Sequence, residues 1–407
     1  MIMPTCDTKS VVDWLADGAR SSMTSDGVLA ELCDRLVQCG IPLWRVAVFV
    51  NTLHPEIMGR RFIWQMGAAV KTDEGSFAIM DTEEYRTGPF YTVITTGQSL
   101  RRRLADPHCP MDYALLHELR ANGVTDYFAA PLIFTDGAVH VATWSTRQAG
   151  GFTDEQFAGL EAIIAPLSRV AEIRALRRTA TNLLDTYVGH QAGERIWGGR
   201  IRRGHTEDIH AVIWLSDMRG FTTAADRLPP QVLVGLLNRY FDCQVPAIEA
   251  HGGEVLKFIG DGLLAIFPIA EGAAGTGDIC RQALAAAREA KAKIEELGHA
   301  IEHGDMRGVR FGLALHLGHV LYGNIGSGNR LDFTCIGPAV NLAARLEKLA
   351  ARLGRTLVTS ADFAQHHPPD LERLGEFPIA GFAARQTAYG LRDEQSAAAI
   401  KAASDAL

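Results

Sequence analysis

Two aspartates 44 residues apart, Asp217 and Asp261, are the side chains in this sequence best placed to do chemistry. Asp217 follows the apolar run Ala211-Val212-Ile213-Trp214-Leu215 and precedes Met218-Arg219-Gly220-Phe221-Thr222. Asp261 sits in Phe258-Ile259-Gly260-Asp261-Gly262-Leu263, between two strand-like runs. Carboxylates that leave the edge of a core beside glycine can together hold a hard cation against a phosphate. The backbone N–H groups around Gly220, Phe221 and Thr222 can take phosphate oxygens next to that cation. Asn341 and Arg345 are four apart in a helical pattern and so share one face. No GxxxxGK[ST] sequence occurs, which argues against a P-loop nucleotide hydrolase. Either acid alone reads as a turn-capping Asp; what surrounds the pair decides its meaning.

The elements that must position these residues are mixed. Residues 211–215 read as a buried strand, and 217–222 as a turn into a helix. An amphipathic helix is expected over 230–250, with Val232, Leu233, Leu236, Leu237 and Tyr240 on one side. Residues 254–258 and 263–267 read as strands joined by a tight turn, which puts Asp261 at a hairpin tip. The strand before Asp217 can pair beside that hairpin and bring the two acids together. Further on come an alanine-rich helix over 275–298, a strand over 309–316, a strand with a glycine-rich turn over 318–327, and a helix over 339–347.

The first half reads as a separate α+β domain. A helix over 11–39 is broken near 21–26, with Thr24 or Asp26 as the second cap. Residues 43–50, 61–65 and 91–96 read as strands, and 51–60 and 66–77 as loops. A hairpin turns at Asp136-Gly137. A long helix opens at Thr153 or Asp154 and carries Phe157, Leu160, Ile164, Leu167, Val170, Ile173 and Leu176, a stripe that fits a dimeric connecting helix. Trp44, Trp64, Tyr127, Phe128 and Trp144 either fill a core or line a pocket. The 407 residues carry a net charge of -7 and no basic tail, so nucleic acid is not an expected partner. Seven cysteines form no CxxC pair, no secretory leader is read, and no apolar run reaches the ~18 residues of a membrane span; a cytoplasmic setting is the default expectation.

Residues 205–391 resemble the catalytic domain of the class III nucleotidyl cyclases. Asp217 and Asp261 match that family's metal-binding acids, Lys257 its adenine-selecting lysine, and Thr334 the second base contact in the form found in its bicarbonate-responsive subgroup. Asn341 matches the ribose-orienting asparagine and Arg345 the arginine that meets the transition-state phosphoryl group. The resemblance implies a ferredoxin-like βαββαβ core. It implies an adenylate cyclase that turns ATP into 3′,5′-cyclic AMP and pyrophosphate, with two Mg²⁺ or Mn²⁺ ions per site and the Met218 carbonyl as an extra ligand. It implies a homodimer with active sites at the interface, the acids facing Lys257, Thr334, Asn341 and Arg345 of the other copy. Guanylate cyclase and a catalytically inactive regulatory module are the alternatives. One departure stands out: Ala380 occupies the place of the family's triphosphate-binding lysine, leaving Arg385 or Arg330 to substitute. Asp332 lies two residues before the base-contact place and is expected in an ion pair or turn. Residues 1–155 resemble a GAF-type sensor domain, with an unknown small-molecule signal; residues 156–204 are read as a helical connector and 392–407 as a tail.

Overall fold

The first helical stretch breaks where the sequence turns polar. Helix α1 (Lys9–Ala16) stops, and α2 (Ser25–Gln38) restarts behind Thr24, whose hydroxyl accepts a hydrogen bond from the Gly27 N–H at 3.3 Å. The computed structural model describes residues 8–55, 57–269, 275–300, 310–366 and 368–394. The chain divides into two units, Met1–Leu183 and Leu184–Leu407. Val309 and residues 395–407 of the expected tail lie outside the described residues.

In the first unit the strands are β1 (Arg45–Asn51), β2 (Ile57–Gln65) and β3 (Lys71–Ser76). After the short helices α3 (Glu83–Arg86) and α4 (Pro89–Thr96) come β4 (Leu100–Arg102), α5 (Ala114–Ala121), β5 (Asp126–Ile133) and β6 (Val139–Thr146). They form one antiparallel sheet in the order β3-β2-β1-β6-β5-β4. The β5–β6 turn is the Asp136-Gly137 pair, with Gly137 at φ 86° and the Asp136 carboxylate accepting from the Ala138 N–H at 2.9 Å. Helix α6 (Asp154–Val188) starts at Thr153, whose hydroxyl accepts from the Gln156 N–H, and runs past the division between the units. Its residues Leu160, Leu167 and Val170 enter the core with Trp64, Phe128 and Trp144, whereas Ile173 and Leu176 are more than half exposed. Trp64, Phe128 and Trp144 therefore fill the core. Tyr127 is buried in a second cluster, and Trp44 lies under the Arg147 guanidinium.

Two local expectations are corrected. Residues 91–96 are helical: their β-branched run favours a strand, but Pro89 at the first helical position and Gly97 in a left-handed C-cap at φ 65° bracket a helix that buries Val93. The expected loops over 51–60 and 66–77 hide the start of β2 and all of β3. Strand β3 is an edge strand whose charged residues mask the alternation, held by cross-strand pairs Arg61–Asp73 and Arg60–Glu74.

The second unit begins with the end of α6 and with α7 (His190–Trp197), then β7 (Thr206–Arg219), α8 (Phe221–Arg227), α9 (Pro230–Ala250), β8 (Glu254–Ile259) and β9 (Gly262–Pro268). Next come α10 (Thr276–Ala300), β10 (Arg310–Gly326), β11 (Leu331–Ile336), α11 (Pro338–Leu353), β12 (Leu357–Ser360), α12 (Ala361–Ala364), β13 (Leu371–Phe377) and β14 (Gln386–Leu391). Strands β10-β7-β9-β8 pair antiparallel in that order. Taken with α9 and α10 they make the βαββαβ arrangement of a ferredoxin-like core. Alternation on β7 sorts its two faces. Val212 and Trp214 pack with α9 and α10, while Ala211 and Ile213 pack toward α7, β11 and α11. Strand β7 is longer than expected and runs through Asp217 to Arg219, so the turn into α8 is the single residue Gly220, at φ 78°. Strand β10 likewise runs unbroken through Gly318. Among the described residues no helix is long and apolar enough to cross a membrane.

Candidate active site

Asp217 lies between two glycines, Gly262 of β9 and Gly312 of β10, each directly opposite it in its ladder. A Cβ at Gly262 would stand 2.9 Å from the Ser216 carbonyl oxygen and 3.4 Å from Asp217 Oδ1. A Cβ at Gly312 would stand 2.5 Å from Glu347 Oε1. The absent side chains open room for the Asp217 carboxylate and let Glu347 of α11 reach the end of β7. Asp261 arrives from the other direction. The β8–β9 hairpin closes through Gly260 and Asp261 alone, with Gly260 at φ 64°, the left-handed start of a two-residue hairpin. That tip sets Asp261 against Asp217.

The two carboxyls face each other across the cleft they both line, and Asp217 is pushed up to about 7. Burial is the largest cause, followed by the charge of Asp261 and then the charge of Glu347; a hydrogen bond with the Met218 backbone acts the other way. Glu347 is itself raised by burial, with Arg219 opposing. Two half-buried carboxyls whose proximity makes one of them hold its proton are a donor set in which a divalent cation can replace that proton. Among the described residues no group of three or more His, Cys, Asp or Glu forms a closed cage. Two carboxylates with coordination left open fit Mg²⁺ or Mn²⁺ held partly by phosphate oxygens.

Around this pair lies a cleft of about 840 Å³. Met218, Gly220, Phe221 and Thr222 line it at the β7–α8 turn, and Arg345 lines it from α11. Ala380, the position expected to lack a cation, lies on its wall. Arg385 does not line it and instead donates to the Glu376 carbonyl at 2.9 Å, and Arg330 belongs to a turn with Ser327. Besides Arg345 and Arg219, the cations lining it are Lys348 and Arg352, one and two turns beyond Arg345 on the same helix face. Sequence reading missed these two and Glu347. The signal was there in the spacing of Arg345, Lys348 and Arg352, but a charged stripe of that kind also describes an ordinary solvated helix face.

Lys257, Thr334 and Asn341 do not line this cleft. Lys257 pairs with Asp332 at 2.6 Å, joining β8 to β11. Asp332 and Thr334 share one face of β11, being two apart. Thr334 is buried, and its hydroxyl has no hydrogen-bond partner among the described residues. Asn341 is exposed on the first turn of α11. One chain therefore brings Asp217, Asp261, Gly220–Thr222 and Arg345 to one cleft and keeps Lys257 and Thr334 at another place.

Residues 205–391 match the model of the adenylate and guanylate cyclase catalytic domain. An uncharacterised protein of Mycobacterium tuberculosis is 33% identical over 204 residues, covering 49% of this chain and 36% of that protein. An adenylate cyclase of Anabaena cylindrica is 32% identical over 155 residues, covering 38% of this chain and 30% of that enzyme. The chain thus spans about a third of the length of these relatives. A solved bacterial light-regulated adenylyl cyclase is 31% identical, covering 46% of this chain and 93% of that one, with a TM-score of 0.41. Residues 205–391 belong to the adenylate and guanylate cyclase catalytic domain family.

Proposed function

We propose that the chain is an adenylate cyclase, converting ATP to 3′,5′-cyclic AMP and pyrophosphate. The observation that carries this reading is the convergence of Asp217, from the end of β7, and Asp261, from the β8–β9 hairpin tip, in one cleft also lined by Arg345. The acids, with the Met218 carbonyl, would hold two Mg²⁺ or Mn²⁺ ions. Bound there, the ions lower the pKa of the ribose 3′-OH and neutralise phosphate charge. The amides at Gly220, Phe221 and Thr222 take triphosphate oxygens. Lys348 and Arg352 supply the positive charge that Ala380 lacks. Asn341 orients the ribose. The 3′-oxygen loses its proton and bonds to the α-phosphorus in line, while the bond to pyrophosphate breaks. Arg345 meets the charge that grows on the phosphoryl oxygens.

Adenine rather than guanine is read from Lys257 and Thr334. Lys257 offers donors and Thr334 a buried hydroxyl with no partner, on strands that the Asp332 pair holds in contact. Because these residues and Asn341 stand apart from the acid-lined cleft, a second copy of the chain completes each site. The Thr334 residue type favours the bicarbonate-responsive subgroup, and the six-stranded sheet of the first unit favours a GAF-like sensor. The test is product analysis: full-length chain with ATP or GTP, with Mg²⁺ or Mn²⁺, and with or without bicarbonate. Cyclic AMP from ATP is expected, lost in Asp217→Ala and Arg345→Ala. In the same assay Lys348→Ala raises the KM for ATP about tenfold, the size of one lost charge-assisted contact. Preferential cyclic GMP, or full activity in either alanine variant, overturns the reading.

A further inference from the structure

The Met1–Leu183 unit holds a second cleft, of about 450 Å³, within the range of roughly 300–1,000 Å³ typical of small-molecule sites. Its floor is one face of the sheet. Val46 and Trp64 on that face are packed into the core with residues of α2 and α6, but farther along β1 and β2 the same face continues as Val48, Val50 and Phe62, which line the cleft. Arg60 stands next to Phe62 on that face and is ion-paired with Glu74 across the ladder.

The wall is α6, and its character changes along one stripe. Leu167 and Val170 are apolar and buried, Ala171 and Ala175 are small, and Arg174 and Arg178 are cationic. The small residues leave the volume open. The Arg174 guanidinium is fixed at the edge by donating to the Ser22 and Met23 carbonyls at 2.6 and 2.5 Å. Arg178 is exposed and makes no hydrogen bond or ion pair among the described residues. Arg60 is balanced by Glu74, but Arg174 and Arg178 at the α6 edge stand against the single lining acid Asp26, so the favoured occupant is an anion.

We propose that this cleft binds an amphipathic organic anion. Its apolar body lies on Val48, Val50 and Phe62, and its acid group lies at the Arg174–Arg178 edge. The apolar floor without the arginines would fit any hydrophobic molecule, and the arginines without the floor would fit inorganic phosphate; the two together select a carboxylate or phosphate on a hydrocarbon or aryl body.

The test uses the full chain, with decanoate as probe, read by titration calorimetry and thermal unfolding, and is independent of nucleotide turnover. Saturable binding of one decanoate per chain is expected, raising the unfolding temperature. Decan-1-ol binds at least about tenfold more weakly, since it lacks the charge that the arginines meet. Ala171→Trp fills the cleft and abolishes binding. Arg178→Glu, at an exposed position that leaves the circular dichroism unchanged, weakens decanoate binding about tenfold or more. Equal binding of acid and alcohol, or undiminished binding in Arg178→Glu, overturns the proposal. So does a chain that binds no decanoate but sediments as a dimer that Ala171→Trp dissociates, which would assign this face to a second copy.

Discussion

Asp217 keeps its proton to about pH 7 because burial and the neighbouring charge of Asp261 disfavour its ionised form. An ordinary Asp ionises near 3.8, so between those values the folded chain binds a proton that the unfolded chain has released. The stability this group contributes is therefore fully present below the unfolded value and is lost as pH rises through 7. Asp217→Asn removes the charge while keeping the shape. In metal-free protein at pH 8 it is expected to raise unfolding stability by on the order of 1–2 kcal/mol, after allowance for solvent screening at a half-buried site, and at pH 5 by roughly two-fifths as much, because the loss begins at the unfolded value of 3.8 and is complete only above 7. The same variant abolishes turnover, because it removes a carboxylate that must lose its proton to hold a cation. Thermal unfolding at the two pH values checks this, and an equal change at both would show that charge is not the cause. This conflict between stability and ionisation was legible in sequence only as two acids beside glycines. The residues that sharpen it, Glu347 under Gly312 and the Lys348–Arg352 pair, could not be told from a solvated stripe until α11 was placed over the strand ends.

Strands and hairpins set where those side chains meet, and glycine makes their approach possible. Gly262 is the sharpest case: a methyl group there would press on the Ser216 carbonyl at 2.9 Å and the Ile259 carbonyl at 3.2 Å, both backbone atoms. Neither can swing aside as a side chain could, so β7 and β9 must separate next to both acids. Gly262→Ala is expected to destabilise the unit by roughly 1–3 kcal/mol, read as a lower urea midpoint, and to weaken Mn²⁺ binding. An unchanged midpoint would mean that the hairpin relaxes freely. The hairpin itself was readable from Ile259-Gly260-Asp261-Gly262 between apolar runs, since a two-residue turn with glycine first has few alternatives. Helix α4 and strand β3 were not. In α4 a Thr-Val-Ile-Thr-Thr run carries strand propensity that Pro89, Gly97 and the burial of Val93 override. In β3 the stabilising units are ion pairs across the edge, which leave no apolar alternation to read.

At the scale of the whole molecule the division of residues between two places becomes a prediction about assembly. One cleft gathers the acids and Arg345, while Lys257, Thr334 and Asn341 lie off it. If each site takes its acids from one copy and its Asn341 from the other, two inactive variants repair each other. Asp217→Ala and Asn341→Ala are each inactive as homodimers, because both sites lack a necessary group. In a mixed dimer one site receives both defects and the other receives neither. Random pairing of equal amounts puts half the chains in mixed dimers, so about a quarter of wild-type activity should return on mixing. Activity should also fall on dilution more steeply than chain concentration does. Neither result follows from a site made within one chain, where both variants stay inactive in any mixture. The lining of the acid cleft by Arg345 of the same chain makes the experiment discriminating at that residue too. If Arg345 acts within its own chain, Asp217→Ala and Arg345→Ala do not repair each other even where Asp217→Ala and Asn341→Ala do. Repair of both pairs would place Arg345 on the opposite side of the site from the acids it lies beside here.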